Sequence, residues 1–101
     1  MIPLKMLQYI IYAWDGTDDE ALERRMTARP AHFNCARTLK AGNNFILGGA
    51  MLDENGKMIG STMVVQFETE DGLKDWLTKE PYLTGKVWEK IEVRPFKVAD
   101  V

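Results

Sequence analysis

Two apolar runs joined by a polar turn lie in the middle of the chain, at residues 45–67, where the sequence reads FILGGAMLDENGKMIGSTMVVQF. The runs at residues 45–52 and 57–67 have the length and composition of β-strands. Between them, Asp53-Glu54-Asn55-Gly56 contains Asn-Gly, the strongest short signal for a hairpin turn. The stretch therefore predicts an antiparallel hairpin at the centre of the fold.

A strand and a helix are predicted on the N-terminal side of this hairpin. The strand occupies residues 7–14 and is apolar on both sides, which is typical of a central strand. The helix runs from Asp19 to about Lys40. Pro30 interrupts the helical pattern, and because proline lacks an amide donor and clashes with the preceding turn, we expect a kink or two helix segments there. The apolar anchors of this helix are expected to be Leu22, Met26, Phe33 and Leu39.

A second helix and strand are predicted on the C-terminal side. The helix runs from Glu70 to about Lys79 and is followed by a loop at residues 81–85. The strand runs from Trp88 to Val98, with a slip near Pro95. The apolar positions are Leu73, Trp76 and Leu77 in the helix and Ile91, Val93 and Phe96 in the strand.

The resulting order, β-α-β-β-α-β within a single domain of residues 1–101, predicts a ferredoxin-like α+β fold. In this fold a four-stranded antiparallel sheet carries two helices on one face. The other face would be too apolar to remain in contact with water. We therefore expect a second copy of the chain to cover it, sheet against sheet, in a homodimer.

Composition excludes several classes of protein. The net charge of −2 provides no basic field for nucleic acid or an anionic membrane surface. No apolar run approaches the ~20 residues that span a bilayer. The single Cys35 excludes an internal disulfide, and residues 1–5 lack the pattern of an export signal, so we expect a cytoplasmic protein. Met6 is an alternative to Met1 as the start of translation.

His32, the only histidine, is the best candidate for an acid/base group. Histidine has an ordinary pKa of about 6.5, so it exchanges protons near neutrality. A solvated helix histidine is the alternative interpretation. Two acids could orient the ring: Glu80, which precedes Pro81 where a helix normally ends, and Asp15, which closes the first strand. Either acid could instead be an ordinary surface or turn residue.

Three arginines of the first helix, Arg24, Arg25 and Arg29, could hold an anionic substrate, since arginine binds carboxylates in bidentate fashion. They could equally form i,i+4 ion pairs, such as Glu20 with Arg24. The sequence leaves both interpretations open.

Gly48, Gly49 and Ser61 are expected to line a pocket beside the sheet. Consecutive glycines in a strand indicate a bulge or the close approach of a ligand or helix. Ser61 would offer a hydroxyl near the same region. The sequence contains no Cys/His cluster, no phosphate-binding glycine loop and no Ser-His-Asp spacing, so neither a metal nor a cofactor is expected.

Six stretches along the chain match the sequence pattern of one family: Tyr9-Ile10-Ile11-Tyr12-Ala13 with Asp15, Leu22-Glu23-Arg24-Arg25, Arg29-Pro30-Ala31-His32-Phe33, Gly60-Ser61, Glu80-Pro81-Tyr82 and Val93-Arg94-Pro95-Phe96-Lys97. Through these stretches the chain resembles the YciI-like (YCII-related) family over nearly its whole length. At the position of Glu80 the family more often has aspartate, and one methylene moves a carboxylate by more than an ångström.

The resemblance implies a dimeric α+β barrel, sometimes assembled further, with a pocket that holds a histidine and an acid. It favours Glu80 over Asp15 as the partner of His32. Similar proteins include a dehydrochlorinase of a chlorinated aromatic. The resemblance thus implies a cofactor-free enzyme that uses general acid/base chemistry, by isomerisation or elimination, on a small cyclic or aromatic substrate. The alternative is a non-catalytic ligand-binding or accessory protein with the same dimer and pocket.

Overall fold

A computed structural model describes residues 5–101, so the expectations about an export signal and a start at Met1 lie largely outside the described residues. The strands are β1 Leu7–Asp15, β2 Phe45–Leu52, β3 Met58–Phe67 and β4 Trp88–Phe96. The helices are α1 Ala21–Ala41, α2 Glu70–Lys79 and α3 Pro81–Thr84. Within residues 5–101, no helix is both long enough and apolar enough to cross a membrane.

The four strands form one antiparallel sheet in the order β2-β3-β1-β4, which confirms the ferredoxin-like α+β fold. β1 is an inner strand, and Ile11 pairs with Met63 on one side and with Val93 on the other. The core lies between the helices and one face of this sheet. Its buried members include Tyr9, Ile11, Ala13, Leu39, Met63, Val65, Phe67, Leu73, Trp76 and Tyr82.

The predicted hairpin is confirmed. β2 has the predicted bounds, and the backbone amides of Asn55 and Lys57 both donate to Asp53 Oδ1, at 2.8 and 2.9 Å. Gly56 adopts a φ of 82°, in the left-handed region that favours glycine. The turn residues therefore fix the register of the hairpin through local hydrogen bonds.

α1 is one continuous helix of 21 residues with Pro30 inside it, so the alternative of two helix segments is wrong. Pro30 is exposed, and a proline removes only one amide from the helical hydrogen-bond ladder. The turns on either side still pack on the sheet, since Arg25, His32 and Leu39 are all buried. Tertiary packing therefore outweighs the local cost of the proline.

The predicted apolar face of α1 is also wrong, except at Leu39. Leu22, Met26 and Phe33 are between 36% and 45% exposed. The buried side chains are instead Ala21, Arg25, His32 and Leu39. Positions 25, 32 and 39 are seven residues apart, which places them on one face after every two turns. Hydrophobic periodicity missed this face because two of its members are ionisable.

Two smaller predictions fail near the C-terminus. The predicted loop at residues 81–85 contains the short helix α3, which Pro81 begins at a favourable first position. The register shift of β4 lies opposite Trp14 and Asp15, whereas Pro95 pairs regularly with Tyr9. β4 is an edge strand, where the missing amide of a proline is tolerated without a bulge.

Candidate active site

His32 and Glu80 lie in contact although they are 48 positions apart. His32 belongs to the buried face of α1, and Glu80 is the residue between α2 and α3. The ring nitrogen Nδ1 of His32 is hydrogen-bonded to Glu80 Oε1. Glu80 is completely buried and His32 is 8% exposed, so water does not compete freely for this bond. The other ring nitrogen, Nε2, has no hydrogen-bond partner among residues 5–101.

The position of the Glu80 carboxylate is fixed by the local backbone. The residue before a proline avoids helical geometry, and Glu80 has φ −63° and ψ 118°, which ends α2. Its Oε1 also accepts a hydrogen bond of 3.2 Å from the amide of Tyr82 and so caps α3. The second oxygen, Oε2, is buried without a hydrogen-bond partner in the described part of the chain. One carboxylate oxygen therefore both caps a helix and holds the imidazole.

Two aromatic side chains hold the plane of the His32 ring. Tyr82 stacks on it with ring centroids 3.8 Å apart and an angle of 11° between planes. Trp88 meets it edge-on at 6.2 Å. Burial raises the pKa of the Tyr82 phenol, so this neighbour stays neutral in ordinary conditions. The ring of His32 is therefore held by stacking and by the bond to Glu80.

Asp15 is not a partner of His32, and that alternative prediction is wrong. Both Asp15 oxygens accept hydrogen bonds from Arg25 Nη1, each at 3.0 Å. Arg25 Nη2 donates to Ser61 Oγ at 2.9 Å, and Trp88 Nε1 donates to the same oxygen at 3.1 Å. Asp15 turns towards Arg25 because a buried guanidinium needs a compensating charge more strongly than a histidine does.

The three arginines of the sequence analysis have three different surroundings. Arg24 forms an exposed bidentate pair with Asp18, at 2.6 and 2.8 Å, rather than the expected pair with Glu20. This pair holds the pKa of Asp18 well below its usual range. Arg25 is buried against Asp15, and Arg25 and Arg29, unlike Arg24, line the cavity beside His32. Ion pairing therefore accounts for Arg24 and Arg25, whereas Arg29 lines the cavity and could bind an anion there.

A cavity of about 330 Å³ lies beside His32, between α1 and the β2–β3 hairpin. The four residues predicted for substrate binding, Arg29, Gly48, Gly49 and Ser61, all lie on its lining together with His32. The structure thus brings these residues together around one space.

The two glycines of this lining differ. A Cβ at Gly48 would lie 3.1 Å from the ring of Phe45 and 3.3 Å from Met63 Cγ, so glycine leaves room there. At Gly49 nothing lies within 4 Å of such an atom, so space does not require glycine.

The sequence did not single out Arg25 among the three arginines and gave Tyr82 no role in the site, although both line the cavity. A signal for Arg25 was present, because positions 25 and 32 share a helix face and both are ionisable. Tyr82 follows Glu80-Pro81, and its burial could not be read from so short a stretch. Within residues 5–101, no three His, Cys, Asp or Glu side chains form a group that could hold a metal.

Comparison with known proteins places the sequence in a family. The sequence model of the YCII-related domain matches residues 7–97. The chain belongs to the YCII-related family. It is 34% identical over 95 residues to Protein YciI of Escherichia coli, which covers 88% of this chain and 95% of that protein. It is also 34% identical over 97 residues to an uncharacterized protein of Haemophilus influenzae, covering 90% and 97% of the two chains.

Solved structures share the fold of this YCII-related chain. One is the 5-chloro-2-hydroxyhydroquinone dehydrochlorinase TftG of Burkholderia phenoliruptrix in complex with 2,5-dihydroxybenzoquinone. It has a TM-score of 0.77 and 21% identity, covering 92% of this chain and 96% of that chain. Another is a dimeric ferredoxin-like protein from an uncultured marine organism, with a TM-score of 0.56, 16% identity and coverages of 96% and 92%.

Four of the six stretches that carry the family resemblance meet at one place in this YCII-related chain. Arg25, His32, Ser61 and Tyr82 come from four separate stretches, and all four line the cavity. Glu80, from the same stretch as Tyr82, lies directly behind His32. These stretches are up to about half the chain apart in sequence, so only the fold brings them together.

Proposed function

We propose that this chain is a small enzyme in which His32 is the general acid/base and Glu80 orients it. The substrate would be a small cyclic or aromatic molecule in the adjacent cavity. One observation carries the proposal. Nδ1 of His32 is hydrogen-bonded to the buried carboxylate of Glu80, and the same ring lines the cavity. A solvated helix histidine, the alternative interpretation, would have neither feature.

The hydrogen bond to Glu80 supports a defined protonation pattern in the ring. An ionised Glu80 accepts the proton of Nδ1, which leaves the lone pair on Nε2 available as a base. When Nε2 takes a proton, the imidazolium forms an ion pair with Glu80. The carboxylate therefore stabilises the charged state that appears during the reaction.

The proposed chemistry starts with removal of a substrate proton by Nε2 of His32. The electron pair of the broken bond moves into the substrate ring. In an isomerisation, the imidazolium returns the proton to a different ring atom. In an elimination such as dehydrochlorination, the reacting form is the keto tautomer, in which the carbon that bears chlorine is tetrahedral. The electron pair forms a new ring double bond as chloride leaves that carbon, and the imidazolium later releases its proton to water.

Cavity size and walls support a substrate with a single ring. A volume of about 330 Å³ lies at the lower end of the range for ligand pockets, roughly 300–1,000 Å³. Apolar side chains, among them Phe33, Phe45, Met58 and Met63, form much of the lining. The dehydrochlorinase TftG shares the fold, so a chlorinated hydroquinone is a reasonable first probe.

The test is chloride release from 5-chloro-2-hydroxyhydroquinone and related chlorinated dihydroxybenzenes. We expect His32→Gln to lower the rate by about 10²–10⁴-fold, the usual contribution of a general acid/base. Lys74→Gln, at a residue whose side chain is 67% exposed, is the matched control and should retain the wild-type rate. A folded His32→Gln protein with near wild-type activity would contradict the proposed role.

A second candidate function is ligand binding without chemistry. The apolar lining favours it, because such a wall binds a ring whether or not a reaction follows. The variant His32→Gln distinguishes the two functions. A pure binding protein would keep its affinity and show no turnover in either form.

We also propose that the chain forms a homodimer through the sheet face that carries no helices. Tyr12, Trp14, Leu47 and Phe96 lie on that face and are 40–52% exposed. Light scattering at micromolar concentration should give twice the chain mass. Trp14→Glu should give a monomer, whereas Met26→Glu, at an equally exposed apolar residue of α1, should leave the dimer intact.

A further inference from the structure

Positive charge is concentrated around the cavity although the chain as a whole is acidic. The sequence has 15 Asp and Glu residues against 13 Lys and Arg, for a net charge of −2. Four of those basic side chains, Arg25, Arg29, Arg37 and Lys40, nevertheless line the cavity. Of the residues in the described part of the chain, no aspartate or glutamate does so. From the composition of the chain alone, one would expect both acidic and basic side chains on the lining of the cavity.

Three of the four basic groups have no compensating carboxylate. Arg25 is paired with Asp15, but Arg29, Arg37 and Lys40 form no ion pair within residues 5–101. The guanidinium of Arg29 lies over the ring of Phe33, 4.5 Å from its centroid. Arg37 donates only to the amide oxygen of Asn34, at 2.9 Å. Arg37 and Lys40 are exposed and Arg29 is half-buried, so their charged groups can contact an anion at the mouth of the cavity.

The opposite wall of the cavity is apolar except at Ser61. Phe45 and Gly48 of β2 and Met58 and Met63 of β3 form it, across from the cations of α1. His32 lies on the same lining. A ligand that satisfies both walls needs an apolar ring on the hairpin side and a negative group on the helix side.

We propose that this cavity binds a small aromatic or cyclic carboxylic acid in its ionised form. The carboxylate would contact Arg29 and Arg37, with Lys40 adding positive charge farther along α1, and the ring would lie against Phe45, Met58 and Met63 within reach of His32. This inference rests on the proposed function, because it names the substrate class of the same cavity. It adds a requirement for charge that the acid/base chemistry of His32 does not itself impose.

The test compares 3-chlorobenzoate with 3-chlorobenzamide, which have the same ring and differ in charge. His32 is the only histidine, so its ring protons give one assigned set of NMR signals next to the cavity. We expect 3-chlorobenzoate to shift these signals saturably and to bind at least tenfold more tightly than 3-chlorobenzamide. The preference should weaken as salt concentration rises.

Variants locate the source of this preference. Arg29→Gln combined with Arg37→Gln should reduce the preference for benzoate over benzamide to less than about threefold. The matched control, Lys74→Gln combined with Lys79→Gln, removes two cations from α2 whose side chains are 67% and 69% exposed, and it should leave the preference unchanged. Equal binding of the two probes by the wild type, or an unchanged preference in the arginine variant, overturns the inference.

Failure of the inference and failure of the proposed function give different results. The titration needs no turnover, so a benzoate preference without catalysis on any substrate rejects only the enzyme. Turnover of neutral rings that depends on His32, without a benzoate preference, rejects only the anionic substrate class. In an active enzyme, the arginine variant should raise KM for an acidic substrate more than it lowers kcat.

Discussion

The two buried pairs on α1 are built alike but differ in what they can do. Arg25 and His32 are seven residues apart on the same helix face, and each meets an acid at the end of another element. Arg25 meets Asp15 at the end of β1, and His32 meets Glu80 at the end of α2. The guanidinium is charged at every ordinary pH and is paired with both oxygens of its acid. The imidazole can lose its charge and leaves one nitrogen unpaired.

Under the proposed function, this difference separates a pair that stabilises the fold from a pair that exchanges protons with a substrate. An arginine that loses its buried partner keeps its charge in a poorly solvated site, which is costly. A histidine in the same situation becomes neutral, which is much less costly. The predictions that follow test this contrast, beginning with the largest expected change in stability.

Asp15→Asn should be the most destabilising change. It leaves the charge of Arg25 buried without a counter-ion, and breaking a buried pair in this way costs roughly 3–5 kcal/mol. Urea unfolding would measure it. Asp18→Asn removes an acid from the exposed pair with Arg24, where solvent screens the charges, and should leave the unfolding midpoint almost unchanged. Equal midpoints for the two variants would show that burial of the Arg25–Asp15 pair has no energetic role.

Glu80→Gln should destabilise the fold less than Asp15→Asn, by about 1.5–3 kcal/mol, the range for losing hydrogen bonds to a charged group. Its activity should fall by about 10²-fold, because the amide no longer stabilises the imidazolium. Unfolding and rate measurements on the same preparation separate the two effects. A variant that unfolds as easily as Asp15→Asn would remove the proposed distinction between the pairs.

Glu80→Asp separates helix capping from orientation of the histidine. Aspartate is a good N-cap residue, so stability should stay within about 1 kcal/mol of the wild type. The shorter side chain withdraws the carboxylate from His32, and we expect kcat to fall by roughly 10-fold, since misplacement by an ångström can cost up to 10². An unchanged kcat would show that the present length of the side chain is not required for the chemistry.

The smallest expected effect is on the reactivity of the Cys35 thiol, which should depend on the charge of Glu80. Burial raises the pKa of the Cys35 thiol, and the negative charge of Glu80 raises it further. Glu80→Gln removes that charge, so the thiol pKa should fall and a disulfide reagent should react a few-fold faster at pH 8. Asp18→Asn, which removes an acid from the exposed pair with Arg24, is the control and should leave the rate unchanged. A slower reaction of the thiol in Glu80→Gln than in the wild type would contradict this prediction.

The predictable parts of this fold are those set by local signals. The hairpin of residues 45–67 and the bounds of α2 follow from turn and capping residues close in sequence. His32 and Glu80 could be selected because a lone histidine and an acid before a proline are unusual locally. The buried face of α1 could not be predicted, because Arg25 and His32 are ionisable and a search for periodic apolar residues leaves them out. Their burial depends on acids supplied by β1 and by the end of α2, which only the tertiary structure defines.

The cap of α3 has a consequence for motion. Glu80 Oε1 holds both the amide of Tyr82 and the ring of His32, so the two bonds share one acceptor. Any fluctuation that swings this carboxylate away exposes the Tyr82 amide and frees the imidazole in the same event. The hydrogen–deuterium exchange rate of that single amide therefore measures how often the site is unassembled, without a substrate and without a turnover assay.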